Sequence, residues 1–253
     1  KNYANLYKLF MSEISKKATI GNNVQLGYNI KILDNVIIED DVVVGDYSLI
    51  GHSNNNNFNP LTIKKGSKIN SHSIIYSDAT IGENCSIGHR VLIREKTIIE
   101  NNVQVGSYSD IEGSCKIESY AKLHSNVHVG QNSIIMSYAW VFPYVILTND
   151  PIPPSEIRDG VIIEPFSIVC TRSTVLPGRK IGFGSFVGAN SLVNFDLKPE
   201  MIGSGNPFAV RGSIDKLKIP KTKNNAYPWV SRFNKDYPKN IVDIYKNTKK
   251  KYL

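Results

Sequence analysis

The 253-residue sequence has little sulfur chemistry to offer, with three cysteines and three methionines. Cys85, Cys115 and Cys170 fit no zinc-knuckle spacing, and three reduced thiols suit a cytoplasmic protein. No apolar run reaches the ~18 residues of a membrane-spanning helix, and no signal peptide is evident, so a soluble cytoplasmic chain is expected. The chain starts at Lys1 and not at Met, so its first residues are expected to be incomplete or foreign, with Met11 as a natural start. Acidic charge is scarce at one end. Residues 215–253 hold eleven Lys or Arg against Asp215, Asp236 and Asp243, which accounts for the whole formal charge of +8. The remainder is balanced.

What the sequence has in abundance is a period of six. Aliphatic residues recur from Ile14 to Ile50, from Ile63 to Leu147 and from Ile163 to Val193, at twenty-eight positions. Such a repeat overrides residue-by-residue helix or strand assignment. It excludes an α-helix, whose apolar face recurs at 3.6. The residue two before the aliphatic is small or β-branched in nearly every case, as at Ala18, Val42, Cys85, Cys115, Ala121 and Ser185. Each hexad therefore reads as a short strand with one large and one small side chain inward. Glycine often follows the aliphatic, as at Gly21, Gly88, Gly106 and Gly188, where a turn with positive φ is expected. Three hexads make one turn of a triangular prism. About nine turns at a strand spacing of ~4.8 Å give a length of roughly 45 Å.

The phase slips twice. Ile50 to Ile63 gains one residue across GHSNNNNFNPLT, read as a bulge or short loop at a corner. Leu147 to Ile163 is sixteen residues through TNDPIPPSEIRDGVI, whose three prolines and glycine predict a protruding loop near 148–162. Loops on rigid scaffolds often carry function.

The hexads IGENCSIGHRVLI and VGQNSI resemble the hexapeptide-repeat acyltransferases over about residues 14–213. The resemblance implies an all-β, left-handed parallel β-helix, a fold that departs from the right-handed crossover rule. The domains expected are an N-terminal lead (1–13), the β-helix (14–213) and a basic, aromatic extension (214–253). VILTNDPIPP, VLPGRKIGFGSFVGANSLV and IGSGNPFAVRG look most like nucleotide-sugar amine N-acetyltransferases. That likeness implies a homotrimer with active sites between subunits, acetyl-CoA as co-substrate and no metal. It implies N-acetylation of a nucleotide-linked amino sugar in bacterial surface-polysaccharide synthesis, with saccharide O-acetylation as the close alternative.

His124, in KLHSNVHVG, follows the inward Leu123 and should leave the prism at a corner. It is the candidate catalytic residue, since a neutral imidazole can take a proton from an attacking amine or hydroxyl. The alternatives are a histidine that only binds or makes a hydrogen bond of no consequence. Leu123 and Leu147 are four hexads apart, which puts His124 and the loop at neighbouring levels but on different faces; a trimer would let them share a cleft. Asn126, Asn149 and Asp150 are candidate substrate-binding residues, although all are common turn formers. The resemblance places acetyl-CoA along the last turns. Gly188, Ala189 and Ser204 are then small where a backbone must be approached closely, and Lys198 and Arg211 are available for phosphates. The competing reading is that GNPFAVRG only turns the chain out of the prism.

Two other classes stay open. His89, His124 and His128 raise a metalloenzyme resembling the γ-class carbonic anhydrases, but the spacings of four and 35 residues each miss that pattern by one. A non-catalytic scaffold is the other. The extension, with NIVDIYKNTKKKY as a short helix, is expected to cover the open end or side of the prism. Membrane-surface contact through its basic residues is the lesser option, and its irregular pattern argues against nucleic acid.

Overall fold

A computed structural model describes residues 12–54 and 59–253. Most of the N-terminal lead, Met11 included, and the Asn55–Phe58 part of the first slip lie outside the described residues. The chain is an all-β, left-handed parallel β-helix of about ten turns. Among the described residues its three faces carry ten, nine and eleven strands, most of them two residues long. Face 1 starts at Glu13–Ile14, face 2 at Thr19–Ile20 and face 3 at Gln25–Leu26. As far as Leu192–Val193 consecutive strands lie on successive faces, and every strand pairs in parallel with the strand eighteen residues on wherever the hexads run unbroken, as Ile93 with Ile111 and Val129 with Leu147.

The hexad aliphatics fill the prism. From Ile32 onward they are essentially inaccessible, whereas Ile14 at the first turn is 43 % exposed. The small inward positions are buried as well, at Val42, Cys85, Cys115, Ala121 and Ser185. Where this residue is a serine or threonine it generally donates to a carbonyl three residues back, as Ser48 and Ser191 do to Gly45 and Gly188, or to the next coil. Ser67 donates to the Gly82 carbonyl at 2.6 Å, Thr97 to Glu112 at 3.0 Å and Ser109 to His124 at 3.1 Å, always fifteen residues on. A buried hydroxyl so paired avoids the penalty of desolvation without a partner.

The corners are not built as the glycines suggest. Positive φ falls three residues after the aliphatic, at Asn84, Asn102, Asn126 and Asn190 among others, with φ of 54–60°. Asparagine tolerates this left-handed conformation better than most residues. Of the glycines that follow an aliphatic, Gly88 and Gly106 do not have positive φ; they are small because the next coil lies against them. A Cβ on Gly106 would stand 2.4 Å from the backbone of His124 and Ser125.

The second phase slip is a loop of residues 148–161, leaving the prism between faces 1 and 2. The Asp159 amide donates to the Asn149 carbonyl at 2.7 Å and closes its neck. At the far end, Met201–Ser204 joins face 3 and turns back antiparallel as Ala209–Ser213.

The extension then folds onto the side of the prism. It ends in helix α1, Ile241–Tyr252. A second apolar cluster forms there from Phe166 and Phe183 of the prism with Tyr227, Trp229, Val230, Ile241 and Tyr245 of the extension. The Trp229 Nε1–H donates to the Phe166 carbonyl at 3.1 Å. Glu200 receives both the Tyr245 hydroxyl, at 3.2 Å, and the Lys249 ammonium. The rings of Tyr120, Tyr138 and Phe166 stack up the corner between faces 2 and 3, at 5.3 and 4.7 Å between centroids, and Tyr237 of the extension leans on the first two.

Candidate functional site

The parallel register builds the site. Leu123, Val141, Val169, Val187 and Gly203 are successive partners on face 3. The residues that follow them, His124, Phe142, Cys170, Gly188 and Ser204, therefore climb one corner, between faces 3 and 1. Four strand spacings of ~4.8 Å separate the ends of this line by roughly 19 Å.

His124 stands at the lower end. Its ring stacks on Phe142 with centroids 4.6 Å apart and planes 19° apart, and Trp140 lies 5.6 Å away. Burial and the nearby Lys122 ammonium hold its pKa below the ordinary histidine value. The ring is thus neutral at neutral pH, the state a proton acceptor needs. It opens on a groove of about 460 Å³ lined by Gln104, Gly106, Ser107, Lys122 and Trp140.

The other end holds three of the donor candidates. Gly188 is covered by Ser204, whose Cβ would lie 2.8 Å from a Cβ at position 188. Arg211 is held over the same spot, its Nε donating to Ser204 Oγ at 3.0 Å and an Nη to the Ser204 carbonyl at 3.2 Å. Ala189 is exposed beside them. Lys198 is not part of this cluster. It follows Leu197, which bridges Ile181 on face 2, so it sits at the corner between faces 2 and 3.

The remaining candidates are placed elsewhere. Asn126 is a left-handed corner residue with φ 59°, its N–H bound to the Ser107 carbonyl at 2.9 Å. Asn149 donates to Glu112 at 2.7 Å. Asp150 is engaged by its own loop, accepting from the Ser155 hydroxyl at 2.6 Å and the Ser155 amide at 2.9 Å. Those hydrogen bonds lower its pKa. The loop leaves face 1 at the edge opposite His124, so within one chain the two do not meet.

The other histidines divide by partner. His128, on face 1, has Nδ1 3.2 Å from Asp110, and that carboxylate raises its pKa. The second Asp110 oxygen is buried without a hydrogen-bond partner. His89 Nδ1 lies 2.9 Å from Ser71 Oγ. Among the described residues no three His, Cys, Asp or Glu side chains gather as a metal site in one chain.

Sequence reasoning did not single out Lys122 or Trp140. They are register partners on face 3, eighteen residues apart, and that spacing was available to read. The approach of Phe233, Asp236 and Tyr237 from the extension was not, since nothing in the hexads specifies it.

The comparisons agree with this architecture. The family described as bacterial transferase hexapeptide (six repeats) matches residues 17–52, 60–95 and 96–131. The bifunctional protein GlmU of Nitrosospira multiformis is 24 % identical over 180 residues, 64 % of this chain and 36 % of that protein. That of Methanococcus maripaludis strain C5 is 30 % identical over 143 residues, 52 % of this chain and 33 % of its own. The chain thus spans about a third of the length of these curated relatives. Among solved structures, a UDP-N-acetylglucosamine acyltransferase from Arabidopsis superposes with a TM-score of 0.61 at 16 % identity, covering 80 % of this chain and 73 % of that one. One from Campylobacter jejuni gives 0.50 at 15 % identity, covering 94 % and 82 %. Over residues 17–52 and 60–131 the chain therefore carries the bacterial transferase hexapeptide repeat, on the fold that these solved structures share.

Proposed function

We propose that this protein is an acetyl-CoA-dependent acetyltransferase acting on a nucleotide-linked amino sugar, in the cytoplasmic stage of bacterial surface-polysaccharide synthesis. The observation that carries the reading is the single corner that joins a neutral His124 to Gly188, Ser204 and Arg211. An extended donor lying along this corner would place its thioester near the imidazole and its phosphates near Arg211. The exposed Ala189 leaves its arm room to approach the backbone, whereas Gly188 is small because Ser204 of the next coil lies against it. Lys198, one corner away, has no part in this donor path within one chain.

In the reaction, His124 takes a proton as the acceptor nitrogen attacks the thioester carbonyl. A backbone amide of a nearby turn faces the oxyanion, the kind of fixed donor that stabilises developing charge. The imidazolium then returns its proton to the departing thiolate. The groove beside His124, with Gln104, Ser107 and Trp140, is the acceptor side. A saccharide hydroxyl could replace the amine without changing these roles.

The assembly proposed is a homotrimer. Ile74 and Ile146 on face 1 and Ile98 on face 2 are 37–48 % exposed, which suits burial against a neighbouring prism. A neighbour's loop, with Asn149 and Asp150, would then complete the cleft that one chain leaves open.

Acetyl-CoA binding tests the donor half. A ligand that prefers the folded state stabilises it by about 2.7 kcal/mol at a hundredfold excess over Kd, visible as a rise in Tm. Arg211→Ala should weaken acetyl-CoA more than it weakens the dephospho form if Arg211 meets the 3′-phosphate. Equal losses would remove that assignment, and no rise in Tm with either ligand would remove the donor site.

A further inference from the structure

The mechanism above leaves one buried cation unused. Lys122 sits on face 3, two residues before His124, and is only 6 % exposed. Its ammonium lies 4.8 Å from the Tyr237 ring centre, 5.1 Å from Trp140 and 5.9 Å from Phe233. Among the described residues the one carboxylate near it, Asp236, is 3.8 Å away and more than half exposed. Among the described residues Lys122 Nζ makes no hydrogen bond.

That is an incomplete set of partners. An ammonium carries three donors, and burial of the charge is costly unless it is paired and hydrogen-bonded. Aromatic faces offset part of that cost but accept no conventional hydrogen bond. Desolvation accordingly depresses the Lys122 pKa, against which Asp236 acts only weakly. Lys122 also lines the groove beside His124, together with hydroxyl and amide groups of Ser86, Gln104, Ser107 and Ser125. The groove therefore has one buried cation with donor capacity to spare, and neutral hydroxyl and amide groups around it.

We propose that Lys122 is the anion-binding group of this groove and takes a phosphate of a nucleoside-diphosphate-linked acceptor, with Asp236 as the internal carboxylate that the phosphate displaces. This rests on the acceptor reading given above and adds to it the group that recognises the diphosphate. It also gives the C-terminal extension a role in the site. Phe233 and Tyr237 hold the ammonium in place, and Asp236 occupies it until substrate arrives.

The test is calorimetric titration of the full-length protein with inorganic pyrophosphate and with UDP and GDP. Lys122→Met keeps a flexible apolar side chain among the rings, and its fold is checked by thermal melting. Loss of a charge-assisted phosphate contact should weaken all three ligands roughly tenfold or more. Asp236→Asn removes the competing carboxylate and should bind them as tightly as the native protein or more tightly. Unchanged affinity in Lys122→Met would overturn the proposal, as would failure of the native protein to bind any of the three. Equal weakening in both variants would do the same, because it marks the Lys122–Asp236 pair as a purely structural latch. Binding without acetyl transfer would retain the anion site and sink the reaction. Transfer to a nucleotide-free amino sugar with the same KM in native and Lys122→Met protein would retain the reaction and sink the site.

Discussion

His124 and His128 are four residues apart and have opposite electrostatics. His124 stacks on Phe142 with a lowered pKa; His128 faces Asp110 with a raised one. As the proposed general base, His124→Ala should lower kcat by about 10²-fold or more, since positioned proton transfer contributes ~10²–10⁴. The acid limb of the kcat/KM profile should lie below the ~6.5 of an ordinary histidine, because the free enzyme's base holds its proton less tightly. A loss confined to acceptor KM would make His124 a binding residue. His128 should act on stability instead. A raised folded-state pKa stabilises the protonated form fully below the unfolded value of ~6.5, and this is lost as pH rises through the raised folded value. His128→Gln should therefore lower Tm at pH 5.5 more than at pH 8.5. An equal drop at both would mean that the pair with Asp110 is not the cause.

At the scale of the element, the hexads were legible because each requires one large and one small inward residue, and few side chains satisfy that rule by accident. The loop was legible for the opposite reason: its prolines cannot join a ladder. The corners were misjudged. The glycines in IGENCSIG-like runs suggested positive φ, but contact with the next coil sets their size, and asparagine takes the left-handed position. Gly106→Ala should thus destabilise through a backbone clash, by roughly 1–3 kcal/mol as for other overpacked sites, measured by the shift of the denaturant midpoint. A change within error would mean that the coil spacing yields easily. The extension was the least legible element. Its aromatics follow no period, and their docking partners Tyr138, Phe166 and Phe183 occur at corner positions that the hexad pattern leaves undetermined. Trp229 is 3 % exposed in this second cluster, so Trp229→Ala should cost about 3–5 kcal/mol and free the extension from the prism. A cost below about 1 kcal/mol would show that the rest of the cluster holds the extension without it.

For the whole molecule, the prism works as a ruler. Parallel register repeats every eighteen residues, so residues far apart in sequence stand on one line, and His124 and Ser204 become two ends of a single corner. The sequence showed the level of each candidate but not which candidates share a corner, because each phase slip shifts all later residues. Arg211 joins the line through the antiparallel return of Ala209–Ser213, and Lys198 does not join it. The trimer belongs to this scale too. Sedimentation of a stable monomer with full activity would contradict it. The most direct test of the central claim is a thioester-consumption assay with acetyl-CoA across a panel of nucleotide-linked amino sugars. The account predicts acceptor-dependent release of free CoA, abolished or slowed about 10²-fold in His124→Ala. No acceptor-dependent release with any amino sugar or hydroxyl sugar, from protein shown to bind acetyl-CoA, would contradict it.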